Sequence, residues 1–466
     1  MGNLKTKELN NIGYTDDRLK SMVITTVAKH FKHQHKTDTL ALLADVKNNP
    51  LNYTGDIALQ KIADALMNAD VKPAVTLFEL KPEASPLKIY GEDEIEEAAK
   101  KQMRLALSLP VSLQGALMPD AHSGYGLPIG GVLATRNSVI PYAVGMDIGC
   151  RMALSIIDAD EKFIKRYEHQ IKQAIGKWTH FGMEGRLGVT QHHEILDNAM
   201  FHETPLLKKL HGKAVQQLGT SGGGNHFVEF GLITLNEDNA LELPAKSYLA
   251  LLTHSGSRGL GAGIAKHYTQ IAMNTCKLPR EAQPLAWLNL DTEAGQEYWL
   301  NMTLAGDYAK ACHDRIHANL LKTLGLKALH KVENHHNFAW KNKLADGIQA
   351  IIHRKGATPA NINELGIIPG SMATPAYLVI GKGNAEALNS ASHGAGRAMS
   401  RQDAKSSITK SAMKKMLVDA GVTLIDGSIE ENPLAYKNIE TVMNAQADLV
   451  TIQGEFWPRI VRMNKE

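Results

Sequence analysis

The sequence predicts a mixed α/β (α+β) fold: a single large domain with mixed sheets and glycine-rich loops, preceded by a helical extension. Three observations lead there. Glycine accounts for 39 of 466 residues, only slightly above the usual ~7%, yet it is gathered into blocks. Those blocks hold short β-type apolar runs and alternate with stretches whose apolar residues recur at three- and four-residue spacing. Neither an internal repeat nor a low-complexity linker separates them, so they belong to one integrated fold. The expected division is 1–85 for a mainly helical segment packed on the core and 86–466 for the main domain.

Within the first segment, TDTLALLADVKNNP and TGDIALQKIADALMNAD carry helical periodicity. Asn48, Asn49 and Pro50 stop the first helix, and Thr54 is the expected N-cap of the second. The basic, His-rich run from Lys29 to Lys36 reads as a solvated helix face, with RNA or metal contact the less favoured alternative. KPEASP is a turn-rich break before a short strand, LKIY. The helix after it, GEDEIEEAAKKQMRLAL, begins with acids and ends near Lys100, Lys101 and Arg104, as the helix dipole prefers. Short β runs fill 111–155, mainly helical structure 160–218, and glycine-rich β structure 219–261. Helices return over 262–330, strands and loops over 331–401, then a helix from Arg401 to Gly421 and a last α/β segment.

Composition narrows the function. Hydrophobic residues make up 44% and charged residues 21%, so wholesale disorder is excluded. Fifty-one Lys and Arg against 48 Asp and Glu leave a charge of +3. That is too small for coating nucleic acid by charge alone, although a local basic groove stays open. Cys150, Cys276 and Cys312 form no disulfide framework and suit a reducing compartment. No stretch approaches the ~20 apolar residues of a membrane span, and MGNLKTKELNN lacks the apolar core of a signal peptide. The expectation is a soluble cytoplasmic protein with no membrane partner. Twenty His, several inside the glycine blocks, favour an enzyme over a binding scaffold.

Five blocks carry the chemistry. In VGMDIGC, Asp147 and Cys150 are spaced to converge on a divalent ion, and a thiolate can bridge two. A buried Cys beside an Asp turn is the simpler reading of that block alone. LGTSGGGNHFVEF places His226 after three glycines, LLTHSGSRGLG places His254 at the end of an apolar run, and VENHHNFAW holds His335, His336 and Asn337. Any one of these would more often be a hydrogen-bonded structural His. Together they balance the metal and metal-free readings. In the last block, PGSM and HGAG should expose backbone N–H groups to phosphate, with Arg397 nearby. Neither a P-loop nor a strand-linked GxGxxG motif is present here, so generic chemistry reaches a metal-assisted nucleotide or phosphoester site and stops.

The ordered set PDAHSGYGLPIGG, GMDIGC, GGGNHFVE, HSGSRGLG, HHN, HRKGAT, PGSMAT and SHGAGRAMSR resembles the RtcB family of RNA-splicing ligases, from about Ile89 onward. The resemblance implies an RtcB-like catalytic domain. It implies joining of RNA 3′-phosphate or 2′,3′-cyclic phosphate ends to 5′-hydroxyl ends, with GTP and two Mn²⁺ ions and, in parts of the family, an activating protein partner. Asp147, Cys150 and His226 would hold one ion and Cys150, His254 and His336 the other, the Cys150 thiolate bridging. His393 would be the catalytic nucleophile that takes GMP, with His335 the first alternative.

The nucleotide site carried over comprises Asn225, His226, Phe227, Val228 and Glu229, then His336 and Asn337. It continues with Pro369, Gly370, Ser371 and Met372, and with His393, Gly394, Ala395 and Gly396. Glu229 would read guanine, Tyr436 would stack near the base, and the penultimate Lys465 completes the set. Glu466 stands where the family has glycine, Ala373 replaces a glycine, and Ala376 replaces a phosphate-contacting serine. These departures mark a divergent subgroup, for which tRNA splicing and RNA repair are both open. Two other readings compete: a metal-dependent RNA-end phosphoesterase without GTP, and a non-catalytic RNA-binding module. The second lacks both the charge and an aromatic stacking platform.

Overall fold

The computed structural model describes residues 6–15, 17–31, 34–67 and 76–465. Lys32 and His33 of the His-rich run, and the Glu466 departure, lie outside the described residues. The chain forms two compact units, Met1–Thr76 and Leu77–Glu466. The division falls ahead of KPEASP because Phe78 and Leu80 already pack on the core of the second unit.

The first unit holds helices Thr6–Asn11, Asp17–His30, Lys36–Asn48 and Gln60–Met67. Leu9, Tyr14, Val23, Leu43, Val46, Leu59 and Ile62 form a core of its own. The helix ending at Asn48 stops before Pro50, as the sequence predicts. Thr54 is not the cap expected of it, since its hydroxyl donates to the Leu51 carbonyl. The Asp56 carboxylate takes the cap role instead, accepting from the Ala58 and Leu59 N–H groups at 2.8 Å each. Lys29, His30 and His35 are exposed, in keeping with a solvated surface.

The second unit is organised by two sheets. In the eight-stranded sheet the order is Ala328–His335, Arg151–Ile157, Ser247–Ser255, Phe227–Leu235, Val450–Met463, Ala376–Gly381 and Leu365–Ile368, with Thr423–Leu424 joined in parallel to Val450–Met463. Its central strands are apolar on both faces because both are covered. Leu249 and Leu251 pack with Val228 and Phe230 against helices Glu161–Trp178 and Glu293–Leu324. Tyr248, Ala250 and Leu252 face the other way, with Met152, Leu154 and Ile233. The five-stranded sheet has the order Asn337–Lys343, Gln349–Lys355, Ile129–Thr135, Ser112–His122, Leu87–Ile89.

One expectation holds in outline, the mainly helical 160–218 stretch, and one changes. The 160–218 stretch holds helices Glu161–Trp178 and Pro205–Gln217, and the glycine- and His-containing residues between them form loop and short 3₁₀ turns. The expected helix 401–421 is two, Arg401–Ser407 and Lys410–Asp419, because Thr409 breaks the run and caps the second through the Ala412 N–H.

Candidate active site

Strand register gathers the predicted metal ligands. Cys150 immediately precedes Arg151, which pairs with Ser255 on one side and His335 on the other. Phe227, directly after His226, pairs with His254, and His336 follows the strand that ends at His335. Side chains alternate along a strand. Cys150 and His254 therefore continue the Met152–Leu154 and Ala250–Leu252 face, and Phe227 and Glu229 continue the face of Ile233. One face of one sheet thus carries most of the site. Asp147 arrives from the preceding loop, lying so close to Gly256 that a Cβ there would sit 2.1 Å from its carboxylate oxygens.

The atoms converge in two trios, Asp147–Cys150–His226 and Cys150–His254–His336, each within 4.8 Å. Cys150 Sγ is 3.2 Å from both His226 Nε2 and His254 Nε2. His254 Nε2 lies 3.1 Å from His336 Nε2, and His226 Nε2 lies 3.1 Å from Asp147 Oδ2. Burial, then neighbouring imidazoles, hold His254 and His336 well below the usual histidine range, so both rings are neutral. Burial pushes the Cys150 thiol up, and Asp147 adds to this. For Asp147 burial works upward too, but His226 and Cys150 outweigh it and bring the carboxyl to about 2. His254 Nδ1 donates to the Asn225 carbonyl at 3.1 Å, which leaves Nε2 as a bare lone pair. Imidazoles, a carboxylate and a shared thiol aimed at common points could hold two divalent cations.

Beside the trios lies a cavity of about 1150 Å³. Asn225, Phe227, Glu229, Pro369, Gly370, Ser371, Met372, His393, Gly394, Ala395, Gly396 and Tyr436 all line it, as do His254 and Ala376. Other predicted residues sit elsewhere. Val228 packs in the core beneath, because strand alternation sends it to the face opposite Phe227 and Glu229. Asn337 ties loops together, accepting from the Gly356 N–H at 2.8 Å and donating to the Asp147 carbonyl at 3.3 Å. Lys465 is exposed and pairs with Asp426 at 2.8 Å, outside the cavity lining. His335 contacts Arg151 at 3.1 Å, stacks on Trp340, and is absent from the lining too.

The expectation of free backbone donors in PGSM and HGAG is corrected at four positions. Gly370 N–H donates to Pro375 O, Ser371 N–H to the Thr374 hydroxyl, Ala395 N–H to Pro369 O, and His393 N–H to Asp120. These loops spend those donors on holding their own shape.

His393 is the pivot between the two sheets. Its ring is 5.0 Å from that of His336 on one side. On the other, its Nδ1 is 2.6 Å from Asp120 Oδ2, which also accepts the His393 backbone N–H at 3.1 Å. A carboxylate that accepts from Nδ1–H leaves the Nε2 lone pair free. Asp120 is fully buried and was missed in the sequence reading, although PDAHSGYG displays it among glycines. Also unassigned there were His122, Lys355, Glu431 and Lys437, all of which line the cavity. Lys355 donates to the carbonyls of Tyr125 and Tyr142, and burial lowers it to about 8. Glu431, fully buried, accepts from the Tyr436 hydroxyl and from Arg397 Nη1.

With this geometry in place, comparison with known proteins decides the family. The family model described as tRNA-splicing ligase RtcB matches residues 102–204 and 177–463. The chain belongs to the RtcB family. An RNA-splicing ligase RtcB1 of Escherichia coli is 32% identical over 414 residues, covering 80% of this chain and 96% of its own length. The tRNA-splicing ligase RtcB of Nanoarchaeum equitans is 29% identical over 441 residues, covering 78% and 92%. That of Archaeoglobus fulgidus is 28% identical over 432 residues, covering 77% and 88%. Membership in RtcB places the chain among the RNA ligases, and its described residues include no helix long and apolar enough to cross a membrane.

Proposed function

We propose that this RtcB protein is a GTP- and Mn²⁺-dependent ligase that joins RNA 3′-phosphate or 2′,3′-cyclic phosphate ends to 5′-hydroxyl ends in the cytoplasm. The observation that carries the reading is the Asp120–His393 pair, set between the metal trios and a cavity large enough for a nucleotide. His393 Nε2 attacks the α-phosphorus of GTP, and the bond to pyrophosphate breaks as the N–P bond forms. A 2′,3′-cyclic phosphate is first opened by water to a 3′-phosphate and a free 2′-hydroxyl; GMP then passes to the RNA 3′-phosphate, freeing the imidazole. The RNA 5′-hydroxyl displaces GMP and leaves a 3′,5′-phosphodiester. Cations held by Asp147, Cys150, His226, His254 and His336 would neutralise charge developing on phosphate. Thiolate and imidazole donors suit several divalent metals, and manganese comes from the family resemblance.

A phosphoesterase working without GTP could use the same imidazole and carboxylate, but it has no need of a nucleotide-sized cavity beside them. Incubation with GTP labelled at the α-phosphate and Mn²⁺, followed by denaturation, separates the two. Retained label is expected. Its absence, with RNA 3′-ends hydrolysed, establishes the phosphoesterase.

Glu229 supplies a second test. Burial pushes its carboxyl up to about 8, so the free protein holds it protonated at neutral pH. Accepting from guanine N1–H and the exocyclic amine requires the carboxylate, whereas the protonated form donates to adenine N1. Guanylylation should therefore rise with pH up to about 8 and flatten above, adenylylation should fall above about 8, and the ratio of the two should climb across the whole range. Groups common to both nucleotides cancel in the ratio of guanylylation to adenylylation, which isolates Glu229. Glu229→Ala should cost about 1.5–3 kcal/mol with GTP and make the ratio independent of pH. A mutant ratio that still climbs with pH assigns base reading elsewhere.

A further inference from the structure

Strand Ser112–His122 leaves the ladder with its neighbour Ile129–Thr135 exactly where the site needs it to. Leu117 pairs with Gly131 and His122 with Ile129, and the register shifts between them. The carbonyls of the intervening residues must find partners off the sheet. Asp120 O is 3.0 Å from His122 Nδ1. Those of Pro119 and Ala121, one on each side of Asp120, accept from the single ammonium of Lys437 at 3.0 and 2.9 Å. The backbone N–H of Lys437 in turn donates to Gly396 O at 3.0 Å. Gly396, at φ +74°, lies flat on the same turn, where a Cβ would come within 2.1 Å of Asp120 O. Lys437 thus joins the segment after Tyr436 to the backbone on both sides of the carboxylate that holds His393.

We propose that Lys437 is a positioning residue for His393: by pinning the two carbonyls that flank Asp120, it fixes the direction in which that carboxylate presents the imidazole. The role rests on the guanylylation reading above. A fixed near-attack geometry enters the rate of the chemical step and not the affinity for nucleotide. Lys437 also lines the cavity, so the rival role is direct contact with a phosphate, which enters affinity first.

The test is single-turnover labelling of the full chain with α-labelled GTP and Mn²⁺. Lys437→Met keeps the length and removes all donors. It should lower the maximal labelling rate roughly 10- to 100-fold, the effect of a misplacement of about 1 Å. The GTP concentration for half-maximal rate should stay within about twofold of wild type, with two Mn²⁺ still bound. Lys437→Arg, whose fork can reach both carbonyls, should recover most of the rate. A rise in half-saturating GTP at unchanged maximal rate overturns the proposal in favour of phosphate contact. Equal loss in the Met and Arg variants, both folded, also overturns it. Should Lys437→Met fail to fold, Lys437→Gln against Lys437→Arg decides on the same two parameters. A wild-type protein that takes no label overturns the guanylylation reading itself, and this role with it.

Discussion

On the guanylylation reading proposed above, His393→Ala should leave no covalent guanylyl label and no joined RNA, while the fold and the five candidate cation ligands stay in place. The size of the effect follows from the role. Removing a nucleophile eliminates the first step outright, and losses of roughly 10⁴- to 10⁶-fold are usual when a nucleophile is deleted. The structural cost is much smaller. The His393 side chain is already 13% exposed, and its loss leaves the Asp120 carboxylate with the backbone N–H of residue 393 as its remaining donor. That is worth about 1–3 kcal/mol, which a domain of this size shows as a few degrees in thermal midpoint. Labelling and a melting curve on the same preparation check both halves. Label persisting in the variant moves the nucleophile. His122 is then the next candidate, since it lines the same cavity, whereas His335 is stacked on Trp340 away from it.

What was legible beforehand was chemical identity. Cysteine, histidine and aspartate set among glycines left metal and metal-free readings open, and the five residues carried over from the RtcB resemblance do meet in space. Their meeting depends on register, which a single strand does not display: Phe227 opposite His254, and Arg151 opposite both Ser255 and His335. Asp120 was illegible for a deeper reason. Its role exists only where the two sheets meet, 273 residues from His393 in sequence, and a lone aspartate in a turn-like motif carries no sign of that partner. Val228 and Asn337 were carried over with the motifs of the family resemblance, whereas strand alternation and loop tying give their side chains other tasks. Glycine-rich loops likewise suggest free donors, but tight turns consume donors, as the Ser371–Thr374 pair does.

Cys150→Ala should weaken both proposed cation sites together, and Cys150→Ser should recover little. Sγ is the one atom shared by the two trios, 3.2 Å from a histidine of each. Deleting it takes a donor from both trios and, among the described residues, the atom that would bridge them. Serine keeps the shape, but its hydroxyl stays protonated near neutral pH, whereas a metal-bound thiol ionises. The pH dependence has a definite sign. Burial and Asp147 hold the free thiol in its protonated form, and His254 and His336 are already neutral. Binding must therefore expel the thiol proton, so Mn²⁺ affinity in the wild type rises with pH across neutrality. The Cys150→Ala protein, with no proton to release there, should show residual binding that is flatter with pH. Calorimetry in buffers of different ionisation enthalpy counts the protons, and metal analysis after gel filtration counts the ions, both independent of ligation. A Cys150→Ala chain that still carries two Mn²⁺ with unchanged affinity would remove the thiolate from its bridging place.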